Sequence, residues 1–177
     1  MGQVGLAKNQ LATSAALQIG RVFPQGTMNS YLEEGISYRT DLFIGAEVDV
    51  PVVSAVGTGV DFTYSEHELS ADREGHFRRY LWDIFFFPVN VGVVQIQPGL
   101  AWNVTDVKIP ALDLDEVSIR PAGVISAEIA IPINQQVRLT AMGRYTKIVS
   151  DMEETTEGEI NICGETVSVL SGVKVKF

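Results

Sequence analysis

Ser65, Glu66 and His67 stand side by side, with His76 close behind, and these types match a nucleophile, an acid and a base. Successive residues on a strand point to opposite faces, so Ser65 and His67 share a face while Glu66 does not. No oxyanion-binding feature accompanies them. Gly57 and Gly59 precede a strand-like run, not a helix N-terminus, so they do not make a phosphate loop. Catalysis is therefore not expected. The second cluster is the acidic run SDMEETTEGEINICGE at 150–165, which holds Asp151, Glu153, Glu154, Glu157, Glu159 and Glu165 and no basic residue. Hard cations take several oxygen ligands, but the run lacks the ordered spacing and turn glycine of a calcium loop. It reads as a solvated loop or a partner-binding surface made by Asp151, Glu153, Glu154, Glu157 and Glu159. Cys163 in the same run is the only cysteine. It excludes an internal disulfide, makes a Cys-based zinc site untenable, and is expected to be an inert free thiol. Neither a metal nor a cofactor is expected.

The elements that must carry these residues show a period of two. Leu42, Ile44, Ala46, Val48 and Val50 alternate with Asp41, Phe43, Gly45, Glu47 and Asp49. Val94, Ile96, Leu100 and Trp102 alternate with Gln95, Gln97, Gly99, Ala101 and Asn103. Val60, Phe62 and Tyr64, then Val137, Leu139, Ala141 and Tyr145, then Val167 to Phe177, repeat the pattern, which is that of strands with two unlike faces. Short breaks carry a proline after an apolar run, at 48–57, 85–94 and 128–137. Long, polar breaks lie at about 23–36, 66–77, 104–117 and 150–165, and the two kinds strictly alternate. This predicts an up-and-down meander of eight strands at roughly 12–22, 37–50, 56–66, 78–88, 91–103, 118–131, 137–149 and 166–177. Leu6 to Gln18 is helix-permissive but uncapped and weakly amphipathic. Ile84 to Thr105 is uncharged, yet its prolines, Asn and Gln residues and its alternation rule out a membrane-spanning helix.

The chain has 177 residues, 46% apolar and 20% charged, with a net charge of −9. That makes one globular domain, 1–177, and argues against nucleic acid as a partner. The four long breaks hold 16 of the 22 acidic residues and 2 of the 13 basic ones, a net −14, so the remainder is +5. The acidic charge is a crown at one end. The N-terminal segment lacks a basic region followed by an apolar block, so it is not a signal peptide and the chain reads as a mature form.

The choice of solvent rests on the faces. The minority face carries Asp41, Glu47, Asp49, Asp61, Asp83 and Glu128 against Arg79, Arg120, Arg138, Arg144, Lys174 and Lys176, among glycines and small polar residues. That suits a narrow interior filled by paired charges. The majority face is almost wholly apolar. Its aromatics Tyr38, Tyr64, Tyr80, Trp82, Trp102 and Tyr145 fall toward the long-loop ends, as a headgroup girdle would. Phe86, Phe87 and Phe177 make a thinner belt at the other end. Alternation alone also fits a soluble lipid-binding barrel, although no lipocalin-like Gly-x-Trp stands near the first strand. The count of eight, the one-ended aromatics and the loop alternation favour a transmembrane barrel.

On these features, and on the last strand LSGVKVKF, the chain resembles the small eight-stranded outer-membrane β-barrel family of Gram-negative bacteria, the OmpA/OmpX/OmpW-like group, over about residues 12–177. Gly172, Val175 and Phe177 match the family's C-terminal pattern, while Leu170 stands where a polar residue is usual. The resemblance implies an all-β antiparallel barrel with short periplasmic turns and longer extracellular loops. It implies recognition of the last strand by the outer-membrane assembly machinery, and outer-membrane lipid as surroundings. A monomer is expected, with a structural or surface-interaction role and any extracellular partner at the acidic loops. The alternatives on the same barrel are a lipid-modifying hydrolase using Ser65 and His67 on the outer wall, and a narrow pore or apolar-ligand path.

Overall fold

The computed structural model describes residues 11–25, 31–47, 55–70, 74–86, 89–91, 93–149, 152–155 and 158–177. Its elements are strands β1 (Leu11–Gln25), β2 (Leu32–Glu47), β3 (Ala55–Leu69), β4 (His76–Phe86), β5 (Val89–Val91), β6 (Val94–Ile109), β7 (Leu114–Pro132), β8 (Val137–Ile148), β9 (Met152–Thr155), β10 (Gly158–Asn161) and β11 (Glu165–Lys176). A short 3-10 turn, Pro110–Leu112, joins β6 to β7. The sheet runs β4-β3-β2-β1-β11-β8-β7-β6, and pairing of β4 with β6 closes it into an eight-stranded antiparallel barrel. Among the described residues closure leaves the barrel sheet without a free edge. β5 follows β4 and pairs with the foot of β6, and β9 with β10 makes a separate hairpin.

Each strand presents one face outward. Leu17, Ile19, Leu42, Val60, Ile84, Leu100, Ile119, Ile125, Leu139 and Val169 are all exposed, Leu100 to 68%. Inward lie Gln18, Arg39, Asp41, Asp61, Asp83, Ser126, Glu128, Thr140, Arg144 and Ser168, all buried. Soluble monomers rarely expose apolar patches beyond a few hundred Å². A wall apolar all the way round, over a polar interior, is the arrangement of a barrel in lipid.

The strands differ from the sequence expectation at their ends. The pair expected at 91–103 and 118–131 runs instead over 94–109 and 114–132, so 104–117 is an extended hairpin and not a long loop. The second strand begins at Leu32 and the third ends at Leu69. After β4 the chain pairs again through Val91, which moves the turn expected near 89–90 onward. The helix-permissive segment is strand from Leu11 on, and 6–10 lies outside the described residues.

The strands go on because the alternation continues in opposite phase. Low on β6, Trp102 faces out and Asn103 in; at its top Lys108 faces out while Val107 and Ile109 are buried. On β4, Asp83 is inside and Trp82 outside, whereas Phe77 is inside and Arg78 outside. Outward cross-strand ion pairs occupy this upper tier, Arg21–Glu34 at 3.5 Å, Arg78–Glu66 at 3.0 Å, Lys108–Asp115 at 2.5 Å and Lys147–Glu165 at 2.9 Å, with a His76–Asp106 hydrogen bond at 3.2 Å among them. Strands of 15 or 16 residues, as in β1, β2, β3 and β6, exceed the roughly 9–11 a tilted strand needs to cross a bilayer. The surplus stands in water, where the rule for which face is apolar inverts.

Candidate functional site

The interior is built in three storeys. At the bottom, Phe43, Gly59 and Phe85 lie in register across β2, β3 and β4. The two rings stack with centroids 6.1 Å apart, and a Cβ at residue 59 would fall 2.0 Å from the Phe85 ring. Only glycine leaves room for that ring, so the pair stacks inside the lower lumen. The Phe86 and Phe87 side chains, expected in the thinner aromatic belt, lie outside the described residues.

The middle storey is a charge network. Arg39 donates from Nε to Asp61 Oδ2 at 2.9 Å, and from Nη1 to Asp41 Oδ2 at 2.7 Å and Gln18 Oε1 at 2.8 Å. Arg144 donates from Nη1 to Asp61 Oδ2 at 3.0 Å and from Nη2 to Asp83 Oδ2 at 2.5 Å. Gln18 passes its amide to Glu128 at 3.2 Å and to Thr140 at 2.9 Å, and Lys174 pairs with Glu128. These contacts tie β1, β2, β3, β4, β7, β8 and β11 through one set of side chains. Deep burial makes each of them expensive to break singly.

Of the twelve residues read from sequence as an interior network, Asp41, Asp61, Asp83, Glu128, Arg144 and Lys174 meet as described. Arg79 is buried in the upper lumen, outside the carboxylate set, with its guanidinium over the Phe77 ring at 4.9 Å. Arg120 is half-buried in the inward register of β7, and Arg138 is exposed near the short turn that precedes β8. Lys176 is half-buried at the end of β11. The Glu47 side chain and Asp49 lie outside the described residues. The sequence reading passed over the residue at the centre, Arg39. It sits two positions before Asp41 on the same strand, so the period-two rule already placed it on the inner face. Gln18 was passed over because it is uncharged.

The top storey corrects the expectation of a polar interior throughout. Leu32, Phe77, Leu81, Val107, Ile109, Leu112, Leu114 and Ile148 form one apolar cluster with Ile160, Ile162 and Cys163 from the last long segment. That segment is not wholly solvated. It folds as the β9–β10 hairpin and sends three side chains into the mouth of the barrel. Cys163 is buried, with Sγ 3.6 Å from Ser118 Oγ and 3.9 Å from Thr105 Oγ1. Of the expected partner surface, Glu154 and Glu159 are exposed and Glu153 is half-buried; Asp151 and Glu157 lie outside the described residues.

Ser65 and His67 both point inward and are buried. His67 faces the Glu33 carbonyl from Nδ1 at 3.4 Å, while Glu66 is outside with Tyr64 and Arg78. These three do not form a lipid-facing set. Among the described residues no His, Cys, Asp and Glu side chains converge as a metal site.

The girdle residues form two ladders. Tyr38, Tyr64 and Tyr80 are in register across β2, β3 and β4, with centroids 6.3 and 5.3 Å apart. Phe62 and Trp82 meet at 5.3 Å, with Trp102 next in register on β6. Tyr145 stands apart on β8. Gly172 on β11 lies where a Cβ would fall 2.0 Å from the Leu17 carbonyl oxygen, which fixes the close pairing of the last strand on the first. Val175 pairs with Ala15, and Phe177 is 72% exposed.

No family model matches the chain, and no curated protein matches it. Solved structures do match. Neisserial surface protein A aligns at a TM-score of 0.54 and 12% identity over 94% of this chain and 97% of its own. Ail of Yersinia pestis, the attachment invasion locus protein, aligns at 0.55 and 12% over 96% and 99%, and it has also been solved with the heparin analogue sucrose octasulfate. A major outer membrane protein from Thermus thermophilus aligns at 0.52 and 12% over 95% and 100%. At this identity the likeness is one of fold: the chain has the fold of the small outer-membrane β-barrels.

Proposed function

We propose that the chain is a closed, non-conducting and non-enzymatic barrel of the bacterial outer membrane, monomeric, with a structural or surface-interaction role exercised through its acidic end. The observation that carries this reading is the double closure of the lumen. The network around Arg39 and Arg144 fills its middle, and the cluster containing Ile160 and Ile162 fills its mouth. Eight strands leave little room beyond side chains, so a conducting path would require both to rearrange. What remains accessible is the end to which the sequence assigns four stretches with a net charge of −14, and Glu154 and Glu159 there are exposed. That charge suits a partner with a basic surface and repels a polyanion, unlike Ail with its heparin analogue. Gly172, Val175 and Phe177 are read as the segment taken up by the outer-membrane assembly machinery.

The test is refolding. In detergent the chain should give a compact gel band that shifts on boiling, and planar bilayers containing it should show no steady conductance. Liposomes carrying it should retain polylysine and not heparin. A monodisperse monomer in buffer without detergent would overturn the membrane reading. A stable unit conductance would overturn closure, and equal retention of heparin would overturn the charge argument.

A further inference from the structure

Between the charge network and the apolar mouth lies a small interior cavity with room for a water-sized group. Its polar lining is the hydroxyls of Ser37, Thr63, Ser65, Thr146, Thr166 and Ser168, the amide of Asn103, and the guanidinium groups of Arg79 and Arg144. Among the described residues no carboxylate lines it. Arg144 is balanced by Asp61 and Asp83. Arg79 has no such pair among the described residues: it is 4% exposed, and its Nε, Nη1 and Nη2 have no hydrogen-bond partner among them. Ser37 Oγ and Arg144 Nε beside it are likewise unpartnered. The four described carboxylates of the middle storey, Asp41, Asp61, Asp83 and Glu128, pair with the three cations Arg39, Arg144 and Lys174, and none of them is in ion-pair contact with Arg79.

An always-charged group buried with no described counter-charge in contact costs several kcal/mol, and water satisfies its hydrogen bonds without neutralising it. From this we infer that the cavity is a binding site for a small monatomic anion of the halide class, held by Arg79 and the ring of hydroxyls. The donors converge from β2, β3, β4, β8 and β11. The site is small, which disfavours sulfate, phosphate or a carboxylate. Arg144, paired with Asp61 and Asp83, lines its lower side, and Leu81 and Ile148 of the mouth cluster line it as well. A filled site joins the network to the mouth cluster through Arg79, which lies between them on β4.

The full chain, refolded in detergent, is titrated with sodium chloride or sodium bromide against sodium gluconate at constant ionic strength. A saturable rise in the unfolding midpoint of about 2–4 °C is expected for the halides and none for gluconate, since a ligand that binds only the folded state stabilises it. Arg79→Gln should remove the halide dependence. Crystals grown in bromide supply a measurement that needs no variant: an anomalous peak within about 3.5 Å of the Arg79 guanidinium is expected. A wild-type midpoint indifferent to halide would overturn the inference. So would an unchanged dependence in Arg79→Gln, or bromide crystals with only water at Arg79. Each readout is independent of whether the acidic rim binds a partner.

Discussion

The lower and upper halves of the wall are made of the same strands and obey opposite rules. In the lower half Leu17, Val60, Trp82, Ile84 and Leu100 face out, and Gln18, Asp61, Asp83 and Arg144 face in. In the upper half Arg21, Arg78, Lys108 and Lys147 face out, and Val22, Phe77, Val107 and Ile148 face in. The backbone alternation does not change between them; the solvent does. Lipid draws apolar side chains outward and leaves the polar ones to pair in the lumen. Water draws the charges outward and closes the lumen with hydrocarbon, as in any soluble core. The ring of cross-strand ion pairs marks where one rule gives way to the other, just above the tyrosine ladder of Tyr38, Tyr64 and Tyr80.

The largest effect should come from the lower half. Arg39→Ala leaves Asp61 without one of its two guanidinium partners and Asp41 and Gln18 without theirs. Losing one member of a buried ion pair costs about 3–5 kcal/mol. The urea midpoint of the refolded protein should fall accordingly, and an unchanged midpoint would mean the network contributes nothing. The upper half should respond as a conventional core. Ile162→Ala removes buried methyl groups from the mouth cluster, a change that costs about 2–5 kcal/mol in soluble cores and here should sit at the low end beside a hairpin that can relax. The same variant carries a second readout. Cys163 should react slowly with a maleimide in the native wild type and at least several-fold faster in Ile162→Ala; equal rates would show that the mouth cluster does not shield the thiol. The smallest effect belongs to the boundary. Lys108→Ala breaks an exposed pair with Asp115, and exposed pairs contribute little, so its unfolding midpoint should match wild type within error.

The same inversion explains what the sequence made legible. The eight strands, their order and the sidedness of the lower half follow from one uninterrupted alternation, as at Val94 to Asn103. The expected strand ends fall where the phase flips, at Asn103 on β6 and at Ser118 on β7. Beyond them polar residues occupy positions that had been apolar, and alternation of the opposite sign reads as a loop. Arg39 is legible by spacing alone, two positions before Asp41 on the same face. Arg79 is buried, but a one-dimensional pattern cannot say which carboxylates lie near it, and the structure puts it a storey above them. The burial of Ile160, Ile162 and Cys163 was hidden by the six acidic residues around them. A mostly charged segment can still anchor itself by a few apolar side chains when a hydrocarbon-lined mouth is within reach.

The boundary between the two rules can be located directly by nitroxides placed one at a time at Leu100, Val104 and Lys108, three outward positions on β6, in refolded protein in lipid bilayers with Cys163 replaced by alanine. Collision with dissolved oxygen should exceed collision with a water-soluble nickel chelate at Leu100 and Val104, and the order should reverse at Lys108. High chelate accessibility at all three positions would contradict a lipid-facing lower wall, and with it the inversion from which the rest follows.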